Sequence, residues 1–184
     1  EEMSDVDLGS IIFIGISLLL SAFFSSSETA FFSLQKTRIA HLVNTGAAGA
    51  GRVARMIEEP ERLLSTILLG NNLVNIAFAA IVTVTVASLL GDDQEGTAIL
   101  VATAVGTAII LIFGEILPKS IAFRNSERVA FAFAKPLKFI EILLLPLVVI
   151  LQLIGRSTNS AFSAEDSAPT PFVTEDEFRT LIDV

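Results

Sequence analysis

Glu115 lies in the stretch Phe113 to Ala122, FGEILPKSIA, which closes an apolar run that begins near Thr97. A carboxylate on a run that reads as membrane-spanning is costly and by default marks a functional site. Three residues on, Pro118 has no N–H for the carbonyl four residues back, so a helix through it leaves the Gly114 oxygen unpaired. Carboxylate and carbonyl oxygens on neighbouring residues are hard ligands that Mg²⁺, Ca²⁺ or Na⁺ accept, and helices broken at ion sites recur in transporters. The alternative is a proline kink with Glu115 paired to Lys119 one turn on. Two further sets share the chemistry. Ser17, Ser21 and Ser25 recur every fourth residue with Glu28 three further on, all on one helix face. Asn71 and Asn75 of GNNLVN are one turn apart beside Gly70, while Asn72 points elsewhere. A single serine packs helices or bonds its own backbone, and a single asparagine can simply join helices; an asparagine pair at this spacing is better explained as lining a polar cavity. Hydroxyl, amide and carboxylate oxygens around one cavity suit magnesium, calcium or sodium and not soft metals.

The segments that carry these residues are membrane-like. The chain has 184 residues, 52% of them hydrophobic, and a mean hydropathy of +0.71. Cysteine is absent and His41 is the one histidine, which argues against disulfides and against zinc or copper chemistry. Tryptophan and tyrosine are also absent, leaving fourteen Phe to stand in for aromatic belts. The expected fold is an all-α integral membrane protein with spans at about 8–34, 63–90 and 97–117. Pro60 opens the second long helix. Between the first two spans, Lys36, Arg38, His41, Arg52, Arg55 and Arg62 alternate with apolar residues as in helices lying on a membrane surface, over about 36–60 with a turn at TGAAGAG. Further surface helices are expected at about 119–135 and 137–154. Basic residues crowd this end of the spans, which places it in the cytoplasm, with the N-terminal tail 1–7 and the acidic GDDQEG loop outside. The run Phe139 to Ile154 holds Glu141 and Pro146 and is short for a span; it either crosses with a kink or lies in the inner leaflet. Residues 8–156 form the membrane domain. Residues 157–184 read as a linker and then a capped acidic helix, TEDEFRTLIDV, leading to the expectation that a cytosolic domain follows.

Three stretches, SAFFSSSETAFFSL (21–34), LLGNNLVN (68–75) and FGEILPKSIA (113–122), resemble in order and spacing the signature stretches of the transmembrane domain of the CNNM/CorC proteins, implicated in magnesium efflux. The resemblance runs from Leu8 to about Ile154. It implies a homodimer in the cell membrane with three true crossings, a belt of inner-face helices, an external N-terminus and a cytoplasmic C-terminus. An acidic helical bundle leading to nucleotide-binding CBS domains would follow, so nucleotide would bind only there. It further implies a largely dehydrated Mg²⁺ held by serine, asparagine, main-chain carbonyl and glutamate oxygens, with Na⁺ as driving ion. By motif position these roles fall on Ser21 or Ser25, on Asn75 and Asn71, and on Glu115; Gly114 as carbonyl ligand follows from Pro118. Glu28, with Asn72 and Lys119, is a secondary or vestibule candidate: it would serve sodium, line the inner vestibule or face headgroups.

The leading expectation is a transporter moving Mg²⁺ outward in exchange for Na⁺. The alternative is a membrane-bound magnesium sensor that passes its signal on, favoured by the face beyond Ser17, where Gly15, Ile14 and Ile11 offer no polar path. An enzyme is not expected: the spans hold no Asp, His or Cys, and Ser120 beside Lys119 is badly placed for a catalytic pair. Nor does a basic patch with interleaved aromatics suggest nucleic acid.

Overall fold

The computed structural model describes residues 8–90 and 95–162, and every described element is helical. In chain order these are α1 (Leu8–Phe32), α2 (Lys36–Asn44), α3 (Ala50–Glu58), α4 (Pro60–Leu90) and α5 (Glu95–Ile109), a π-helical segment (Ile110–Ile116), α6 (Leu117–Arg124) and α7 (Ser126–Phe162). Residues 1–148 form one compact unit and 149–184 a second, of which helical backbone is described as far as Phe162. The tail 1–7, residues 91–94 of the acidic loop and the helix expected from Thr174 lie outside the described residues.

Three described stretches are long and apolar enough to cross a membrane: Leu8–Phe32, Pro60–Ser88 and Ile99–Arg124. Their surfaces are inverted relative to a water-soluble protein. In α1 Ser17, Ser21, Ser25 and Ser27 are buried, while Ile12, Ile16 and Leu19 face out. Burying hydroxyls and exposing large aliphatics is favourable only where the surrounding solvent is lipid. The chain is therefore a membrane protein.

The third crossing differs from the expected 97–117. The apolar helical stretch itself continues through Pro118 to Arg124, because the seven residues before α6 take the wider π register: the Leu117 N–H donates to Ile112 O rather than to Phe113 O. A proline at the second position of α6 is absorbed there without ending the helix. The chain breaks instead at Asn125, whose backbone N–H and side-chain amide both reach back to Ile121 O. Consequently the surface helices expected at 119–135 and 137–154 are divided differently, and α7 continues through Pro136 and Pro146, both on exposed faces, into the linker expected from Ser157.

α2 and α3 are joined by a turn in which Gly46 and Gly49 take φ of 72° and 89°, a left-handed backbone that favours glycine. They cap one end of the bundle, hereafter the belt. The core of the molecule is here: Phe24 and Phe31 of α1, Ile39 of α2, Val53 and Met56 of α3, Leu63 and Ile67 of α4, and Ala130, Ala134 and Leu137 of α7 are all buried together. Charge pins α7 to this core. Glu141, 4% exposed, pairs with Arg62 at the start of α4 and with Lys138 at 2.9 Å, and Arg38 of α2 pairs with Glu127 at 3.0 Å. Arg62→Ala would leave a buried carboxylate with one partner. Discounted for the partial exposure of the arginine, the expected loss is about 1–3 kcal/mol, read as earlier thermal unfolding in detergent and partly restored by Arg62→Lys.

α1 is gripped from two sides by close backbone approaches. On the α4 side, a methyl placed on Gly70 would lie 2.3–2.9 Å from atoms of the Phe24 ring. Phe24 is itself 3% exposed and stacks edge-on against Phe23, so it has little room to retreat. Gly70→Ala is expected to cost about 1–3 kcal/mol by overpacking, measurable as a lower melting temperature by fluorescence-detected size exclusion.

Candidate cation site

On the other side of α1, a methyl on Gly114 would lie 2.8 Å from Ser21 Oγ and 3.2 Å from its Cβ. The glycine thus brings the π segment against the serine face of α1 at the level where α4 presents its asparagines. Ser21 is fully buried; its hydroxyl donates to Asn75 Oδ1 at 2.9 Å, with Asn71 Oδ1 at 3.4 Å. Asn75 Nδ2 donates in turn to Glu115 Oε1 at 3.2 Å. Four polar side chains from three crossing helices, far apart in sequence, therefore form one hydrogen-bonded chain.

The serine spacing that places Ser21 also buries Ser25, one turn toward the belt. Its Oγ has no hydrogen-bond partner among the described residues, although a buried hydroxyl ordinarily finds one. Ser17 is buried one turn the other way.

Lys119 does not pair with Glu115. It reaches across to Glu28 of α1, Nζ to Oε2 at 3.1 Å. The paired-kink alternative is thereby set aside: Glu115 is bonded by Asn75, and Glu28 is the carboxylate matched by the lysine. Asn72 is exposed on α4, turned away from the others. Sequence reasoning missed Ser26, whose Oγ donates to Pro118 O at 3.4 Å and links α1 to α6 just below the cluster; serine back-bonding to its own helix was the expected use of such a residue. It also placed the free carbonyl in an α register. Pro118 is the i+4 donor position for Gly114 and the i+5 position for Phe113, and Leu117 serves Ile112. Both carbonyls face a position that offers no N–H. π turns of this kind are frequent at functional sites.

Among the described residues no three His, Cys, Asp or Glu side chains converge. The cluster offers one carboxylate and otherwise neutral oxygens, a donor set for a hard cation held without excessive charge.

The model of the cyclin M transmembrane N-terminal domain family, CNNM, matches residues 11–184. The chain belongs to the CNNM family. Curated relatives include the UPF0053 inner membrane protein YfjD of Escherichia coli, 36% identical over 164 residues, which cover 89% of this chain and 37% of that protein. A UPF0053 protein of Haemophilus influenzae is 34% identical over 181 residues, 98% of this chain and 42% of the other. A chloroplastic DUF21 domain-containing protein of Arabidopsis thaliana, At1g55930, is 30% identical over 93% of this chain and 25% of its own length. This CNNM chain thus spans about two fifths or less of the length of these relatives.

Proposed function

We propose that this CNNM domain transports Mg²⁺ out of the cell, in exchange for Na⁺, through the cluster of Ser21, Asn71, Asn75 and Glu115. The observation that carries the reading is the convergence of these oxygens from three helices within the membrane-crossing bundle, beside an unpartnered buried Ser25 hydroxyl. In the ion-free pattern the Asn75 amide group satisfies the Glu115 carboxylate. A cation would displace that N–H, draw both asparagine Oδ1 atoms and the carboxylate toward itself, and take Ser21 or Ser25 and a main-chain carbonyl of the Pro118 turn as further ligands. Mg²⁺ sheds water reluctantly, so a set of several preplaced oxygens is what makes entry into lipid-surrounded protein affordable.

The proposed orientation puts the belt in the cytoplasm. Lys36, Arg38, Arg52, Arg55, Arg62, Lys119, Arg124 and Arg128 all lie at that end of the bundle, and such residues are retained inside. The proposed assembly is a homodimer whose remaining length carries CBS domains.

A second reading is a magnesium sensor that binds the ion without moving it. It is favoured by α1 beyond Ser17, where Ile11 and Gly15 are exposed and the next polar side chain is Ser10, two turns on. The deciding experiment is Mg²⁺ flux from liposomes carrying the full-length protein, with and without an opposing Na⁺ gradient, beside calorimetric Mg²⁺ binding. Sodium-dependent flux supports exchange; binding without flux removes transport and leaves the sensor.

A further inference from the structure

Between α4 and α5 lies a cavity of about 80 Å³, open on the side where Thr103 and Thr107 are exposed, that starts at Asn75 and runs away from the belt. It rests on the same asparagine that closes the cation cluster, and no residue of α1 lines it. Its polar lining is Thr83 on α4 and Thr103 and Thr107 on α5. Thr103 and Thr107 are one turn apart, about 6 Å along the axis, and Asn75 and Thr83 are two turns apart on the facing helix. Thr83 donates its hydroxyl proton to Ala79 O at 2.8 Å, which leaves its lone pairs as acceptors for water or a cation.

We infer that this seam is the exit joining the cation site to the face opposite the belt, with Thr107, Thr83 and Thr103 as successive oxygen ligands; the inference rests on the transport reading above. The dimensions support it. The cavity holds two or three waters at roughly 30 Å³ each, too few for a dication in a full shell of six. An ion leaving this way keeps few waters, and hydroxyls spaced a turn apart replace them. The narrow point is where the helices touch: a methyl on Gly106 would meet Val82 Cγ1 at 3.2 Å and the Phe78 ring at 3.8 Å. Val82 and Phe78 form the apolar constriction of the seam.

The absence of cysteine from the sequence permits a direct test. In the full-length protein in liposomes, Thr103→Cys and Thr107→Cys are treated, during turnover, with a membrane-impermeant cationic methanethiosulfonate reagent added opposite the belt. Val84→Cys and Val105→Cys, whose parent residues are 64% and 52% exposed and do not line the cavity, are the controls. A thiol in hydrocarbon does not ionise and reacts poorly. The threonine positions are expected to react at least about tenfold faster than the valine positions, and saturating Mg²⁺ to slow them. Thr107→Val is expected to lower flux about tenfold, as for loss of one hydrogen-bonding ligand, with Mg²⁺ binding retained. Threonine positions as unreactive as the valine controls overturn the inference, as does wild-type flux in the Thr103→Val, Thr107→Val double variant. An absence of flux in the wild type would instead count against the transport reading, and the labelling would still decide the seam.

Discussion

Glu115→Gln is expected to raise the Mg²⁺ concentration for half-saturation by about 10²- to several thousand-fold, the equivalent of the roughly 3–5 kcal/mol lost when one member of a buried charged pairing is removed. Within the cluster of Ser21, Asn71, Asn75 and Glu115 it is the one carboxylate, and Lys119 is engaged by Glu28 at 3.1 Å. The substitution keeps shape and can keep the hydrogen bond from Asn75 to Oε1, so the fold should survive while the charge that holds a dication is gone. Calorimetric titration with MgCl₂ measures it directly. An affinity within about threefold of wild type in a folded variant would place the ion elsewhere.

Gly114→Ala should have the next largest effect, through position rather than charge. Its methyl would fall 2.8 Å from Ser21 Oγ and 3.1 Å from Ile110 Cγ1. Either Ser21 rotates out of its 2.9 Å bond to Asn75 or α1 moves back from the π segment. Loss of an orienting partner typically weakens metal binding 10–100-fold, and a reduction of about that size is expected here with a stability cost of about 1–3 kcal/mol. Gly70→Ala is the control. It crowds the same helix one turn away, against the Phe24 ring and not against Ser21, and should lower the melting temperature with little change in Mg²⁺ affinity. Equal losses of affinity in both alanine variants would mean that general loosening of α1, not the position of Ser21, sets binding.

The sequence made visible whatever is costly in lipid. Glu115, the serine periodicity and the asparagine pair stand out against apolar runs, and three distant stretches had to meet because none could be satisfied alone. Less legible was everything that depends on backbone register. The π segment moves the proline's consequence onto two carbonyls and lets the third crossing continue to Arg124, and no residue type announces a register of five. The partner of Lys119 was equally hidden, since a sequence offers Glu115 one turn away but not Glu28 across the helix pair. Threonines on α4 and α5 read as ordinary background because one hydroxyl costs little in a membrane helix; only the facing of Thr83 by Thr103 and Thr107 gives them meaning. An outward path read along α1 alone therefore meets Ile14, Gly15 and Ile11 beyond Ser17.

The two ionic clamps on α7 will not answer alike to the surrounding electrolyte. Arg38 and Glu127 are 52% and 42% exposed, a contact worth about 0–1 kcal/mol that mobile ions attenuate beyond a Debye length of about 8 Å at 0.15 M. Glu141, with its side chain 5% exposed beside Arg62, is shielded from those ions. Rising ionic strength therefore loosens the tie between α7 and α2 while leaving the one to α4 intact, and Ala130, Ala134 and Leu137 hold that part of α7 in the core whatever the salt.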